Sequence, residues 1–234
     1  MTRPTVVIVH GAWHTPAHFE SFIKSIADID VRTVRLPSSG PDISALGDMR
    51  DDAAEVRKVV SAIDGPVLVL AHSYGGVPVT EALGPASENV KRITYLASFP
   101  LDVGESMVSV ATQGGTLPHP PNWDVHKDEG YILVKDPAFH FYDDVEPALA
   151  QKALDDLTYQ SWSSQIQPLT NAAWREIPST YVITDQDRIL PIFAQEMFSQ
   201  RTTDVRHIDS SHSPFLSRPA ELAAILREEI TRTN

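Results

Sequence analysis

Val67-Leu-Val-Leu-Ala-His-Ser-Tyr-Gly-Gly76 is the stretch whose reading decides the fold. Branched apolar residues run without interruption toward Ser73, and two glycines follow Tyr74. An unbroken apolar run has no solvent face, so it suits the buried centre of a parallel sheet. Beyond Tyr74 the apolar residues Val77, Ala82 and Leu83 fall at helical spacing among small residues. Ser73 therefore stands on a strand-to-helix turn. Such a turn lifts the hydroxyl above the sheet edge and aims the next backbone N–H groups at the same space. Strand and helix nearly touch there, so small residues are needed two positions either side of the serine; Ala71 and Gly75 supply them. A serine that merely caps a helix would give a similar pentapeptide, and the rest of the chain must decide between the two readings.

Working outward, Thr5–His10 reads as a strand ending in the turn His10-Gly-Ala-Trp13. Thr15-Pro16 starts a helix whose stripe is Phe19, Phe22, Ile23 and Ile26. Val31–Leu36 is a second strand, and Asp48–Ile63 a helix with Val56, Val59, Val60 and Ile63 as its apolar face. Its early Asp51, Asp52 and Glu55 suit the helix dipole. Val90–Ala97 is the fourth strand. This alternation predicts an α/β fold with a parallel sheet and helices on both faces, its binding site at the carboxyl ends of the strands. His10, Ser73 and Ser98 all fall at such ends. The alternation breaks at 100–178, which holds a loop composition at Gly114–Trp123, a strand pattern at Tyr131–Val134, and helical patterns at Glu146–Leu157 and Gln160–Leu169. That length fits an insertion rather than a connection. The expected organisation is a core of 1–99 and 179–234, about six strands in all, with a cap of 100–178 inserted after the fourth. Thr180–Thr184, a helix over 191–200, Val205–Ile208 and a final helix Pro219–Arg232 complete the core.

At 234 residues the chain has room for one domain with a lid. A net charge of −12 argues against nucleic acid or an anionic membrane as partner. The absence of cysteine excludes disulfides, thiolate catalysis and cysteine-based metal sites. Val6–Val9 is too short for a signal h-region or a membrane span, so a cytoplasmic protein is expected. His10, His14 and His18 share no helical face and have no carboxylate at ligand spacing, so neither a metal nor another cofactor is expected.

The segment Ala71-His-Ser-Tyr-Gly75 resembles the G-x-S-x-G turn of the α/β-hydrolases, with Ala in place of the first Gly. A serine hydroxyl needs a base in reach, and the base a carboxylate to orient it. The resemblance implies the chain order serine, acid, histidine. Thr184-Asp-Gln-Asp187 and Ser210-Ser-His212 follow the last two strands and fit that order. Of the nine histidines, His212 is the preferred base. His72 should point away from the serine side, His10 should brace the first turn, and His14 should line the pocket or cap a helix. Asp187 is the preferred acid and Asp102 the alternative; Asp185 should tie down its loop, and Asp209 is too near His212 in sequence. The oxyanion donors implied are the backbone N–H groups of Ala12 and Tyr74.

Four stretches sharpen the resemblance: Val9-His-Gly-Ala-Trp-His14, Tyr95-Leu-Ala-Ser-Phe-Pro100, Thr184–Asp187 and Ser210–Pro214. They are similar to the plant methylesterase and hydroxynitrile lyase branch and its bacterial carboxylesterase relatives. The lyases of that branch carry a lysine after the catalytic histidine and a threonine in the first turn; here those positions are Ser213 and Gly11. The resemblance therefore implies ester hydrolysis rather than cyanide release. The implied activity is that of a carboxylesterase with Ser73, Asp187 and His212 as triad, acting on small to medium esters, aromatic ones included. The substrate pocket is expected among Trp13, His14, Phe99, Trp123 and Trp162. The alternatives are a slow-turnover ligand receptor on the same fold, or a lactone or C–C bond hydrolase. The oligomeric state is not specified by the sequence.

Overall fold

The protein is described by a computed structural model covering residues 4–112 and 122–233. Most of the expected loop Gly114–Trp123 lies outside the described residues. The chain opens with β1 (Thr5–Val9), α1 (Glu20–Ser25), β2 (Val31–Val34), β3 (Ser39–Gly40), α2 (Met49–Ser61), β4 (Val67–His72), α3 (Gly76–Ala82) and β5 (Val90–Leu96). Next come α4 (Met107–Thr112), β6 (Trp123–His126), β7 (Tyr131–Val134), α5 (Pro137–Phe141), α6 (Pro147–Asp155), β8 (Tyr159–Ser161) and α7 (Ser163–Ile166). It ends with β9 (Ser179–Thr184), α8 (Ile192–Ser199), β10 (Asp204–Ile208), α9 (Pro214–Ser217) and α10 (Pro219–Thr231).

Six of these strands form a sheet in the order β10-β9-β5-β4-β1-β2, every pairing parallel. All residues of β1 and β4 are buried, as continuous apolar runs at the centre of a doubly covered sheet must be. Their register sets Val9 beside Ala71, which brings the turn after β1 next to the turn after β4. Helix α2 is capped by Asp48, whose carboxylate accepts from the Arg50 and Asp51 N–H groups. Its buried face is Met49, Ala53, Val56 and Val60, with Asp52 among them.

A second, antiparallel sheet runs β3-β8-β7-β6. Its first strand, Ser39–Gly40, comes from the loop after β2, so this sheet draws on both parts of the chain. The strand expected at Tyr131–Val134 is β7, and the helix expected at Glu146–Leu157 is α6. The helix expected over Gln160–Leu169 is not formed. Tyr159–Ser161 is a strand, only Ser163–Ile166 is helical, and Gln167 is extended. Pairing to β3 and β7, together with the buried hydrogen bonds of the Gln160 side chain, outweighs the local helical pattern. Among the described residues no helix is long and apolar enough to cross a membrane.

Strand and helix do come into contact at the turn after β4. A Cβ built on Gly75 would lie 2.5 Å from the His10 carbonyl oxygen and 2.7 Å from that of Val9, both backbone atoms. A Cβ on Gly65 would meet nothing within 4 Å. Gly75→Ala should therefore destabilise the fold by about 3 kcal/mol, whereas Gly65→Ala should stay within about 0.5 kcal/mol of wild type. Urea unfolding of the two variants checks the pair.

Candidate active site

Ser73 has φ 51°, in the left-handed region. A non-glycine residue there costs about 1–3 kcal/mol and persists only where its surroundings hold it. The Ser98 hydroxyl donates to the Ser73 carbonyl at 2.6 Å. Ser98 is itself held by Tyr181, whose hydroxyl donates to the Ser98 carbonyl at 2.7 Å and accepts the Ser98 N–H at 2.9 Å. The end of β5 and the middle of β9 thus lock the turn after β4.

Loops after β9 and β10 bring Asp187 and His212 together. His212 Nδ1 lies 2.8 Å from Asp187 Oδ2, with both side chains almost wholly buried. Asp187 also accepts from the Thr184 hydroxyl at 2.8 Å and from the Ile189 and Leu190 N–H groups at 2.8 and 2.9 Å. With Nδ1 donating to Asp187, a neutral ring carries its free lone pair on Nε2. No hydrogen bond joins Nε2 to the Ser73 hydroxyl among the described residues; catalytic bonds of this kind tighten in the substrate complex. Asp102, the alternative acid, is turned away and partly exposed, with Arg175 at 2.6 Å. Burial pushes the Asp102 carboxyl up, but the hydrogen bond and charge of Arg175, the Val103 N–H and the Arg201 charge together outweigh it and hold the carboxyl below its ordinary value. Asp185 pairs with His207 at 2.7 Å, and Asp209 accepts from Gln186 at 3.2 Å.

The other histidines near the serine are scaffold. His72 donates from Nε2 to the His212 carbonyl at 2.9 Å, so the residue before Ser73 clamps the His212 loop. His10 accepts the Leu36 N–H at 3.1 Å on Nε2 and donates from Nδ1 to the Gly11 carbonyl at 2.9 Å. His14 donates to the Ala12 carbonyl at 2.8 Å and accepts from the Tyr142 hydroxyl at 2.9 Å. His18 accepts the Thr15 N–H and donates from Nε2 to the Ala153 carbonyl at 3.0 Å. Both carbonyls flanking Ala12 are thus anchored, and the first turn is tied to the 142–153 stretch. The backbone N–H groups of Ala12 and Tyr74 have no hydrogen-bond partner among the described residues, and both residues line one cavity with Ser73.

That cavity measures about 360 Å³, within the range of small-molecule sites. Trp13, Phe99, Met107, Trp123, Phe141 and Leu190 supply much of its apolar wall, and the more exposed Lys135, His140 and Arg188 are also at its lining. Of the residues expected at a pocket, Trp13, Phe99 and Trp123 line this cavity. His14 and Trp162 do not line it. The His14 ring is used up between Ala12 and Tyr142, and Trp162 packs under the Lys127 ammonium at 4.9 Å. Trp13, at φ 63°, also lines a second groove of about 440 Å³ with Pro41, Leu154, Leu157 and Tyr159.

Sequence reasoning missed two further groups. The Asp144 carboxylate accepts from the Ser211 N–H at 2.9 Å and the Ser210 hydroxyl at 3.2 Å, while Asp143 pairs with Arg188. Both loops of the Asp187–His212 pair are therefore held by the segment before α6. Asp52, expected to serve the helix dipole, is wholly buried and accepts from the Tyr74 hydroxyl at 2.7 Å. The Tyr74 hydroxyl is thereby committed to Asp52. An acidic residue inside the otherwise apolar stripe Met49, Ala53, Val56 was the available signal.

Burial pulls the His10 pKa down to about 3, holds those of His14 and His72 well below the ordinary 6.5, and lowers that of His18. The unfolded chain therefore binds these protons first as pH falls. The stability these groups contribute is full above about pH 6.5 and is lost on acidification, at about 1.4 kcal/mol per pH unit for each fully neutral ring. Asp52, lifted by burial to about 6, works in the opposite sense, since its contribution is full below about pH 4 and lost as pH rises through 6. Four histidines outweigh one carboxyl. The thermal midpoint should fall steadily from pH 7 to pH 4.5 in calorimetry, whereas a flat profile would contradict neutral burial.

The family model for the alpha/beta hydrolase family matches residues 6–225. An alpha/beta hydrolase of Aspergillus novofumigatus, nvfD, is 27% identical over 248 residues, which is 97% of this chain and 96% of that protein. The pFDCC methylesterase MES16 of Arabidopsis thaliana is 25% identical over 195 residues, 70% of this chain and 68% of that one. Among solved structures, a pyrethroid hydrolase of Sphingobium faniae superposes with a TM-score of 0.82 at 18% identity, covering 98% of both chains. Polyneuridine aldehyde esterase does so at 0.83 and 17%, covering 97% of this chain and 99% of that one. The likeness to plant methylesterases read from the motifs is thus met again over 70% of the chain, and the protein belongs to the alpha/beta hydrolase family.

Proposed function

We propose that the protein is a serine carboxylesterase for small to medium esters with an apolar or aromatic part, and that residues 100–178 act as its cap. The observation that carries this reading is the buried Asp187–His212 pair at 2.8 Å, set on loops beside the turn that carries Ser73. In the proposed reaction the Ser73 oxygen attacks the ester carbonyl while His212 Nε2 takes its proton. Asp187 holds the ring and stabilises the imidazolium. The N–H groups of Ala12 and Tyr74 receive the charge that develops on the carbonyl oxygen. As the C–O bond breaks, His212 returns the proton to the departing alcohol. Water, deprotonated by His212, then releases the acid and regenerates Ser73.

The substrate class rests on the lining. Apolar and aromatic side chains dominate, so the acyl and alcohol parts are held by burial rather than by charge. The names of two relatives, a methylesterase and a pyrethroid hydrolase, agree with ester chemistry. Trp13 stands between the cavity and the groove of Leu154 and Leu157, so it sets the length of chain the site accepts.

Steady-state hydrolysis of p-nitrophenyl acetate should show many turnovers. Ser73→Ala should lower kcat by about 10⁶-fold, and Asp187→Asn by about 10⁴-fold, with Asp102→Asn near wild type. One turnover per chain with retained ligand would support a receptor instead. Across p-nitrophenyl esters of increasing acyl length, Trp13→Leu should move the preferred length upward; an unchanged preference would remove Trp13 from that role.

A further inference from the structure

Asp52 lies wholly buried between the turn after β4 and the loop after β2. Its carboxylate accepts from the Ser38 N–H at 2.8 Å, the Ser38 hydroxyl at 2.6 Å and the Tyr74 hydroxyl at 2.7 Å. No cation pairs with it among the described residues. A buried charge without a cation is costly, and these donors are what offset it. The chain of bonds continues. Gln160 Nε2 donates to the Ser38 hydroxyl at 2.8 Å, and Gln160 Oε1 accepts the Trp13 N–H at 3.2 Å and the Ser39 hydroxyl at 2.5 Å. Tyr74 and Trp13 are, respectively, a proposed oxyanion donor and the residue after the other. One continuous network therefore reaches both sides of the proposed oxyanion hole from a single acidic node.

We propose that Asp52 is a positioning residue: it pins the Tyr74 hydroxyl and, through Ser38 and Gln160, the Trp13 N–H, so that the N–H groups of Tyr74 and Ala12 converge on one point. This rests on the oxyanion role proposed above for those two groups. The peptide between Ala12 and Trp13 is held from both sides, by His14 on the Ala12 carbonyl and by Gln160 on the Trp13 N–H. On the other side, the Tyr74 hydroxyl ties the residue that follows Ser73 to the buried Asp52 carboxylate. Protonation would put a donor where three donors already point, so the Tyr74 or Ser38 hydroxyl must turn from donor to acceptor and the network must rearrange. The titratable groups acting on Asp52 are Asp51 on its own helix and Tyr74; the loop after β2 and the 160–164 stretch present hydroxyls and amides. Burial already holds its proton up to about pH 6, so the network loosens within reach of mild acid.

Asp52→Asn, Asp52→Leu, Tyr74→Phe and the Asp52→Asn/Tyr74→Phe double variant test this, each with kcat and KM for p-nitrophenyl acetate and Ki for a trifluoromethyl ketone. The ketone binds as an oxyanion adduct, so it reports the hole directly. Asp52→Leu and Tyr74→Phe should each lower kcat about 10- to 100-fold with KM changed less than about threefold, and should weaken the ketone in proportion. Asp52→Asn, which keeps an acceptor for Tyr74, should retain more activity than Asp52→Leu. The double variant should be no worse than the poorer single one. The acid limb of wild-type kcat should be steeper than one protonation gives and become single in Asp52→Asn. A lowered thermal midpoint with wild-type kcat, ketone Ki and pH limb would make Asp52 structural only. Should Asp52→Leu fail to fold, wild-type kcat and ketone Ki in Tyr74→Phe overturn the proposal by themselves. Full activity in Ser73→Ala would instead overturn the esterase reading on which it stands.

Discussion

The structure depends on a left-handed backbone at Ser73. An L-residue does not hold φ 51° unaided. Here Gly75 closes against the carbonyls of Val9 and His10, and Ser98 grips the Ser73 carbonyl. The central strands that meet at this turn are wholly buried, so the turn cannot relax without unpacking the sheet. Strain at the serine is thus sustained by apolar burial elsewhere, and Ser73 is set at the cavity that Ala12 and Tyr74 also line.

Around that turn the polar groups are arranged as neutral braces. His10, His14, His18 and His72 are buried and kept uncharged by desolvation; the first three spend both ring nitrogens on backbone or on a tyrosine, and His72 spends Nε2 on the His212 carbonyl. They tie the first turn, the His212 loop and the stretch 142–153 into one unit. The charged members are few and specific: Asp187 under His212, Asp144 under the Ser210–Ser211 backbone, and Asp52 under Tyr74. Precision at the site therefore comes from hydrogen bonds made by the parts of the chain that lie far apart in sequence.

That separation explains what could be read in the chain and what could not. The six parallel strands, the turn at Ser73 and the neighbouring loops of Asp187 and His212 were legible, because each depends on local periodicity or on residues within a few positions. Gln160 was misread as helical because its strand is imposed by β3 and β7 and by Ser38, Ser39 and Ser164. Asp52 looked like a surface acid at the start of a helix; only the packing of α2 against the turn after β4 turns it inward. His14 and Trp162 carried the right chemistry for a pocket, but their surroundings place them outside it. Side-chain direction in the irregular stretch 100–178 has no period to read, which is why the pocket was the least legible part.

The central claim is that Ser73 is a nucleophile whose acyl oxygen is received by the N–H groups of Ala12 and Tyr74. A crystal structure after reaction with a fluorophosphonate tests it most directly. The account predicts one phosphonyl group bonded to the Ser73 oxygen, its phosphoryl oxygen about 3 Å from both nitrogens. No adduct, an adduct on another residue, or a phosphoryl oxygen pointing away from both N–H groups would contradict it.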